Sequence, residues 1–471
     1  MSAPAAVIVL NAGALPLARR IAAALPGARL HGLTGRVAGA EVSFDDVSAH
    51  LRALFAAGVP IVGLCAAGLL IRILASQLAD KRIEPPVVAV AEDGGAVVPL
   101  LGGHHGGNDL ARAIGAVLAV APAITTAGDL RFDVALDAPP AGYVLANPGD
   151  AKSFAAALLA GAEVRIEGSA PWLDDSRLPF HAAGAAEIAV TPRITAGGPL
   201  RLVYHPRLLA VGVGCERGVA AEELIGLVRA TLGDAGFAES AVAGVFSLDL
   251  KSDEAAVHAL AESLGVPARF FPAAVLEAEA PRLANPSARV FAEVGCHGVA
   301  EGAALAAAGA DSILAVVKQK SARATAAVAA APLPFDGAAV GRPRGSLHVV
   351  GIGPGGADWL TPEAAQLIAA AKDLVGYSLY LDLLGPLARN KRRHDFALGE
   401  EVARVRAALA LAAEGRSVAL VSSGDPGIYA MASLVFEQLE AAEDAAWRRI
   451  AVRVAPGISA LQAAAARAGA P

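Results

Sequence analysis

The sequence predicts an α/β fold in which several domains with parallel sheets follow one another along the chain. Its 471 residues are enough for about two to four domains, each with its own core. Short apolar runs alternate with amphipathic stretches, as strands alternate with helices in βαβ units. Several apolar runs end in glycine-rich turns, which in a parallel sheet fall at the carboxyl edge where ligands bind.

Composition and charge exclude several functional classes. The net charge is −6, from 39 basic and 45 acidic residues, and no block of one sign recurs, so no nucleic-acid surface is predicted. The one basic cluster, Lys391–His394, is interpreted as a solvated face or loop, with contact to a carboxylate-bearing substrate as the alternative. The longest apolar run, Gly58–Ile71, is shorter than the roughly 18 residues of a membrane span, and no signal peptide is recognisable. Cys65, Cys215 and Cys296 lie far apart, which argues against disulfides and metal sites and favours the cytoplasm.

Residues 1–130 are predicted to form a first α/β domain from seven alternating stretches: Ala6–Leu10, Leu15–Ala24, Val47–Ala57, Pro60–Leu64, Leu69–Ala79, Val87–Ala91 and Asp109–Ala119. The glycine spacing in Gly63–Gly68 is that of a phosphate loop, but two leucines follow where that loop needs Lys and Ser or Thr. The segment Gly102–Asn108 reads G-G-H-H-G-G-N and has two open interpretations. It is either a tight connection with solvated histidines or a loop that presents His104 for binding or acid–base chemistry.

Four segments of this region together resemble the N-terminal part of the cobalt-precorrin-5A hydrolase family: Gly63–Arg72, Asp80–Gly94, the histidine loop and Ile124–Asp129. The resemblance implies opening of the ring-A lactone of a corrin precursor with release of acetaldehyde. The residues on the family's pattern are Arg72, Lys81, Asp93, His104 and Asp129. It makes Arg72, Lys81 and His104 candidates for substrate binding, and His104 also a catalytic candidate. The loop is one residue shorter than the family's pattern between Gly107 and Asn108.

Residues 131–209 are less periodic and richer in proline, glycine and charge, and are predicted to form an intermediate region. Trp172 beside Asp174 and Asp175 is interpreted as a surface aromatic next to a capped turn. His181 and His205 have no companion at metal-ligand spacing. No function is predicted for this region.

Residues 210–330 are predicted to form another α/β unit, which resembles the C-terminal domain of the same hydrolase family in its segments Ala210–Gly218, Ser247–Glu254, Val290–Leu305 and Ser312–Lys320. On the family's pattern lie Lys251, Glu254, Glu301, Lys318, Lys320 and Thr325. Lys251 and Glu301 are candidates for catalysis and substrate binding, and Lys318 for substrate binding. Cations at a strand end suit a substrate with several carboxylates, and a strand-end salt bridge remains the alternative for each lysine. Residues 331–345, with three prolines and three glycines, are predicted to be a linker.

The glycine-rich stretch Leu347–Gly356 follows an apolar strand and contains G-x-G-x-x-G at Gly351, Gly353 and Gly356. A dinucleotide-binding turn runs directly into its helix. Here the next helix is predicted to begin only at Thr361, as the N-cap, with Pro362 as the first helical residue. The spacing therefore argues against a nicotinamide cofactor. An NAD(P)-dependent oxidoreductase stays open as an alternative, with Asp373 as its ribose-binding acid.

Two further strands end in Ser422–Tyr429 and Pro456–Ala460, and three such loops on one sheet edge could cradle a nucleoside through backbone groups. In the sequence of these loops, residues 346–471 resemble the tetrapyrrole methylase family, above all the precorrin-3B C17-methyltransferases. The resemblance implies S-adenosyl-L-methionine as cofactor and C17 methylation with ring contraction. The implied cofactor contacts are Gly353, Pro354, Gly355, Ser423, Gly424, Asp425, Ile428, Ser459 and Ala460.

Tyr377 and Tyr380 are predicted either to line the substrate cleft of this methylase-like segment or to belong to its core. Siroheme-forming relatives have an aspartate at the position of Ser378. Because serine replaces it here, the catalytic role of that aspartate is not assigned to this chain. The segment corresponds to the N-terminal lobe of a two-lobed family, and the second lobe is expected after Pro471.

The sequence thus predicts an enzyme of cobalamin synthesis in which a hydrolase-like part is fused to a methylase lobe. Its expected ligand is a small tetrapyrrole or corrinoid, without nucleic acid, membrane or metal ligands from the protein, and a homo-oligomer is expected. A corrinoid carrier without catalytic activity is the second alternative.

Overall fold

The computed structural model describes residues 4–80, 84–103, 106–125, 131–389, 391–442 and 444–469. The described residues contain four β-sheets flanked by helices, which confirms the predicted α/β class. The chain divides into two compact units, Met1–Thr191 with Thr195–Tyr204, and Pro192–Ile194 with His205–Pro471. In the described parts of the chain, no helix is long and apolar enough to cross a membrane.

The first sheet has six strands in the order β3-β2-β1-β4-β5-β6, all parallel except the pair β5 and β6. Alternate residues of β1 enter different cores: Val7 and Val9 pack on the side of α1 and α4, and Ile8 on the side of α2 and α3. The elements are β1 (Ala6–Val9), α1 (Leu15–Ala24), β2 (Arg29–Leu33), β3 (Val42–Phe44), α2 (Val47–Ala56), β4 (Ile61–Leu64), α3 (Ala67–Leu74), β5 (Val87–Val90), β6 (Val97–Leu101) and α4 (Gly107–Leu118).

The second sheet has four strands in the order β7-β10-β9-β8 and belongs to the predicted intermediate region. Its elements are β7 (Tyr143–Leu145), α5 (Ala151–Leu159), β8 (Val164–Glu167), β9 (Ala186–Val190) and β10 (Arg201–Pro206). The interpretation of Trp172 as a surface aromatic is wrong. Its ring packs between Tyr143 and Tyr204, with centroids 5.9 and 5.4 Å apart, at the border of this domain's core.

The third sheet has five strands in the order β13-β12-β11-β15-β14 and is mixed, because β15 runs antiparallel to both β11 and β14. Only three residues join β14 to β15, which permits a hairpin but no crossover helix. The elements are β11 (Leu209–Cys215), α6 (Ala221–Asp234), β12 (Val242–Leu248), α7 (Ala255–Ser263), β13 (Ala268–Phe271), α8 (Ala273–Ala278), α9 (Ala288–Val294), α10 (Val299–Ala308), β14 (Ile313–Lys320) and β15 (Ala324–Ala330).

The fourth sheet has five strands in the order β18-β17-β19-β16-β20, and all of its pairs are parallel. All of its strands therefore end at the same edge. The elements are β16 (Ser346–Gly351), α11 (Pro362–Ala370), β17 (Asp373–Tyr377), α12 (Ser378–Leu383), β18 (Arg392–Phe396), α13 (Glu401–Ala413), β19 (Ser417–Ser422), α14 (Met431–Glu440), β20 (Ala451–Ala455) and α15 (Ala460–Ala468).

The predicted linker, residues 331–345, is an ordered connection between the third and fourth sheets. Phe270 and Arg342 exchange two backbone hydrogen bonds, of 2.8 and 3.0 Å, so the segment extends along the edge strand β13. The guanidinium of Arg342 also donates to Asp249 at 2.8 Å. The segment is therefore not free of contacts, despite its proline and glycine content.

Candidate functional site

The three glycine-bearing loops of the fourth sheet meet at its carboxyl edge. The backbone N–H of Gly424 donates to the carbonyl of Gly353 at 2.9 Å, and the N–H of Gly353 donates back at 3.2 Å. The carboxylate of Asp425 accepts the N–H of Gly427 at 2.7 Å and that of Gly457 at 3.0 Å. Asp425 therefore holds the second loop to the third, a role that the sequence did not predict.

The close approach of these loops requires glycine. A methyl group at Gly351 or Gly457 would collide with the carbonyl oxygen of Gly424. Gly353 and Gly424 have φ values of +72° and +64°, in the left-handed region that side chains disfavour. The glycines that resembled a dinucleotide fingerprint thus serve the packing of loop on loop.

Part of this edge stays open to a ligand. Pro354 and Gly355 are exposed, and a methyl group placed on Gly355 would meet no atom within 4 Å. The hydroxyl of Ser423 is half-buried and has no hydrogen-bond partner in the described part of the chain. The side chain of Ile428 is 55% exposed. Open space bordered by loop backbone and a free hydroxyl fits the ribose and amino-acid groups of a nucleoside cofactor.

The remaining predicted contacts lie at the same edge with defined local roles. Ser459 caps α15, because its hydroxyl accepts the N–H of Gln462 at 3.3 Å, and Ala460 is exposed in the first turn. Tyr377 ends β17 and meets Tyr380 edge to face, with ring centroids 5.2 Å apart. Tyr380 packs against the core of this domain, which is the second of the two predicted positions for these tyrosines. Tyr377 is half-buried at the strand end.

Asp373 contradicts the oxidoreductase alternative. It is the first residue of β17, so it lies at the amino edge of the sheet, opposite the glycine loops. Its buried carboxylate accepts from His394 at 2.9 Å, Arg416 at 3.0 Å and Arg392 at 3.2 Å. Burial opposes ionisation, but these hydrogen bonds outweigh it and lower the pKa of Asp373. Asp373 is therefore the centre of a structural charge cluster and cannot bind a ribose at Gly351–Gly356.

A second candidate site lies at the end of β11 and β12 in the third sheet. Glu254 is buried there and accepts the N–H of Gly218 at 3.2 Å through both carboxylate oxygens. Lys251 is half-buried, and its ammonium group has no hydrogen bond or ion pair within the residues that the structure describes. Burial raises the pKa of the Cys215 thiol, and the nearby charge of Lys251 opposes this increase. Lys251 is thus a cation beside Cys215 that forms no ion pair within the described residues.

Glu301 holds a loop in place. Its carboxylate, 1% exposed, accepts the N–H and the side-chain amide of Asn285 at 2.9 and 2.8 Å and the N–H of Lys318 at 2.9 Å. Burial opposes ionisation, but the bonds from Asn285 and Lys318 lower the pKa of Glu301. The ammonium of Lys318 donates to the carbonyl of Asn285 at 2.9 Å. The structure gives Glu301 this positioning role in place of the catalytic role considered for it.

The other two residues on the hydrolase pattern in this domain have minor roles. The hydroxyl of Thr325 donates to the carbonyl of Gly214 at 3.1 Å, which ties β15 to β11. Lys320 is exposed at the end of β14.

Sequence reasoning missed one imidazole–carboxylate pair in the same domain. Nδ1 of His297 lies 2.9 Å from Oε1 and 3.0 Å from Oε2 of Glu277. The only signal in the sequence was the turn Gly295–Gly298, G-C-H-G, because the partner carboxylate lies 20 residues earlier, on α8.

The predicted N-terminal residues are described only in part. Arg72 is exposed in the last turn of α3, and Asp93 accepts the N–H of Gly95 at 2.8 Å in a turn. Lys81, His104 and Asp129 lie outside the described residues. No group of three or more His, Cys, Asp or Glu side chains that could hold a metal ion occurs within the described ranges.

Three protein-family models match the chain. Cobalamin synthesis G N-terminal matches residues 49–129, cobalamin synthesis G C-terminus matches residues 209–329, and tetrapyrrole (corrin/porphyrin) methylases matches residues 346–471. The matches follow the predicted order of hydrolase-like and methylase-like parts.

Individual relatives also match either the hydrolase-like part or the methylase-like part of the chain. Protein CobE of Sinorhizobium sp is 55% identical over 121 residues, 26% of this chain and 79% of that protein. Cobalt-precorrin-5A hydrolase of Priestia megaterium is 29% identical over 309 residues, 60% of this chain and 81% of that protein. Precorrin-3B C(17)-methyltransferase of Sinorhizobium sp is 44% identical over 127 residues, 27% of this chain and 49% of that protein. The chain therefore spans about half the length of that methyltransferase.

Proposed function

The chain belongs to the cobalamin synthesis G family and carries a tetrapyrrole methylase domain behind it, and from this we propose a bifunctional enzyme of corrin-ring synthesis. The hydrolase-like part opens the ring-A lactone of cobalt-precorrin-5A. The methylase part transfers a methyl group from S-adenosylmethionine to C17 of precorrin-3B, with ring contraction. The three free cysteines support a reducing compartment such as the cytoplasm.

The convergence of the three loops at the edge of the fourth sheet carries the methylase proposal. When bound, S-adenosylmethionine supplies an electrophilic methyl group. The backbone of Gly353–Gly355 and of Ser459 and Ala460, with the hydroxyl of Ser423, would hold the cofactor. Asp425 keeps these loops together, and Tyr377 borders the substrate side. Methyl transfer needs mainly positioning and in-line approach, so the absence of an assigned base at this edge is compatible with it.

The ammonium of Lys251, which has no ion pair within the described residues, supports the hydrolase-like proposal. A corrinoid carries several carboxylates, and a carboxylate near Lys251 would supply the partner that its ammonium lacks. Lys318 offers a second ammonium at the loop held by Glu301.

Calorimetric titration of the 471-residue chain tests the cofactor. We expect binding of S-adenosylhomocysteine at one site and no binding of NAD. Ser423→Ala should weaken this binding about 2- to 10-fold through loss of one hydrogen bond, whereas Ser433→Ala, an exposed hydroxyl on α14, should not. Binding of NAD with no binding of S-adenosylhomocysteine would refute the methylase proposal.

Incubation with cobalt-precorrin-5A, followed by mass spectrometry, tests the hydrolase-like part. We expect addition of one water and loss of acetaldehyde. Lys251→Ala should raise KM about tenfold, and Lys152→Ala, an exposed lysine on α5, should leave it unchanged. Tight binding without turnover would instead favour the corrinoid carrier.

A further inference from the structure

The imidazole of His297 is fixed on two sides and free on the third. Glu277 accepts Nδ1–H at 2.9 and 3.0 Å and also accepts the backbone N–H of His297 at 2.9 Å. The ring stacks on Phe291, with centroids 4.5 Å apart. Within the described part of the chain Nε2 has no partner, and 34% of the side chain is exposed. Since Nδ1 carries the proton for Glu277, Nε2 is left as the basic nitrogen.

The state of Glu277 suits this arrangement. The hydrogen bond from the backbone N–H of His297 is the main cause that lowers the pKa of Glu277, so Glu277 remains an ionised acceptor at neutral pH. An ionised carboxylate fixes the tautomer of the ring and stabilises the imidazolium that forms when Nε2 takes up a proton.

His297 lies next to the residues proposed to bind the corrinoid. It precedes α10, whose first residue, Val299, packs on Gly214 near the carboxyl end of β11. The N–H of Ser287 donates to the carbonyl of His297 at 2.8 Å, and Asn285, two residues earlier, accepts from the ammonium of Lys318. Two residues span at most roughly 7 Å of chain, so His297 and the cation Lys318 are hydrogen-bonded to the same short loop.

Other groups of the same domain are less suited to accept a proton. His258 is the other histidine between residues 209 and 330, and its Nε2 is bonded to the carbonyl of Ser252 at 2.7 Å. The carboxylate of Glu301 is occupied by three N–H groups.

We propose that His297 is the general base and acid of lactone opening and that Glu277 is its positioning residue, an inference that rests on the proposed hydrolase-like function. Nε2 accepts a proton from water while the water oxygen bonds to the lactone carbonyl carbon. The tetrahedral adduct collapses, the ring C–O bond breaks, and the leaving oxygen takes the proton from the imidazolium. This opening step consumes one water and leaves a hydroxyl group and a carboxylic acid, which loses its proton to solvent. The release of acetaldehyde is a separate step, which is not assigned to His297.

Steady-state kinetics of the full chain on cobalt-precorrin-5A test this assignment. His297→Asn should lower kcat about 10²- to 10⁴-fold with little change in KM, and imidazole in solution should restore part of the rate of His297→Gly. Glu277→Gln should lower kcat about 10- to 100-fold, because misplacement of a catalytic group by about 1 Å has this cost. The matched control is Glu293→Gln, an exposed carboxylate on α9 paired with Arg289, which should keep the wild-type rate.

Three outcomes separate the inference from the proposed function. A wild-type chain that does not open the lactone refutes the proposed function and the role of His297 with it. An active wild type with His297→Asn within about twofold of its kcat overturns the inference alone. If the variants do not fold, diethylpyrocarbonate treatment of the wild type decides, because carbethoxylation of His297, mapped by peptide mass, must abolish turnover. Turnover that survives full modification overturns the proposal.

Discussion

Gly353 and Gly424 exchange two backbone hydrogen bonds at the point where β16 and β19 have just ended. The two strands are parallel, whereas this bridge is antiparallel, so one loop has reversed its direction relative to the other at the sheet edge. The third loop joins them through Gly457, which donates to Asp425 at 3.0 Å. The shape of the edge proposed to bind the cofactor is therefore set by contacts between the three loops.

Gly457→Ala should disturb this edge. The new methyl group collides with the carbonyl oxygen of Gly424, so we expect a loss of about 1–3 kcal/mol in stability and about tenfold weaker binding of S-adenosylhomocysteine. Calorimetric titration and thermal unfolding measure both. Gly226→Ala in α6, where a methyl meets nothing within 4 Å, is the control and should be neutral or slightly stabilising. Unchanged cofactor binding in Gly457→Ala would contradict the proposed place of the cofactor.

Much of the fold could be predicted because strand, glycine turn and amphipathic helix recur within short stretches of sequence. The loops of Gly353, Gly424 and Ser459 came together as expected, since parallel strands end at one edge. The third sheet departs from the parallel prediction because a short hairpin joins β14 to β15. Strand direction there depends on a connection length that apolar periodicity does not reveal.

Sequence reasoning failed where a residue's hydrogen-bond partners lie far away in the sequence. Asp373 looked available for a ligand because its partners, Arg392 and Arg416, come 19 and 43 residues later. The pair of His297 and Glu277 escaped notice for the same reason. A residue type at a strand end predicts a possible role, but the partners that occupy its atoms are set by tertiary packing.

Asp373→Asn should destabilise the methylase domain. Removal of the charge leaves Arg392 and Arg416 around a neutral buried amide, which costs on the order of 3–5 kcal/mol. Hydrogen exchange of β17 measures this loss. Asp382→Asn, which breaks the exposed pair with Arg393, should cost less than about 1 kcal/mol.

The same carboxylate makes stability depend on acid. Because the pKa of Asp373 is lowered below its ordinary value of 3.8, its contribution is complete above that pH and is lost as the pH falls through the folded value. Asp373→Asn should lack this acid-dependent loss. Equal acid sensitivity of β17 in both proteins would contradict the assignment.

His31 and His50 should make the first sheet sensitive to mild acid. Nδ1 of His31 lies 2.9 Å from Nε2 of His50, which stacks on Phe44 at 4.3 Å. Burial, with smaller contributions from His50 and Arg29, lowers the pKa of His31 from 6.5 to about 4. The folded state therefore prefers the neutral ring. The contribution of neutral His31 to the free energy of unfolding is therefore complete above pH 6.5. It decreases by roughly 3 kcal/mol as the pH falls to 4.

Hydrogen exchange of β2, corrected for intrinsic rates, should show this loss between pH 6.5 and 4. His31→Leu should reduce this loss to the part due to His50, whose pKa burial also lowers. His181→Gln, at an exposed histidine next to β8, should leave the loss unchanged. An NMR titration that gives His31 a pKa near 6.5 would refute the explanation.

The three cysteines should react with iodoacetamide at very different rates. Cys65 is buried, and burial together with Glu92 raises the pKa of its thiol to about 11, so little reactive thiolate is present at pH 8. Cys296 is fully buried, and burial likewise raises its pKa. Cys215 is half-buried at the end of β11, and the charge of Lys251 opposes the increase in its pKa. Cys215 should therefore be alkylated first.

Lys251→Ala should slow the alkylation of Cys215 several-fold, because the thiolate loses its nearby cation and the pKa of Cys215 rises further. Lys320→Ala, at the exposed end of β14, should have a smaller effect, since its charge is not among those that shift this pKa. Peptide mass mapping over time gives the three rates. Cobalt-precorrin-5A bound at Lys251 should also protect Cys215. Alkylation of Cys65 before Cys215, or no protection by a ligand that demonstrably binds, would separate the corrinoid site from this edge of the third sheet.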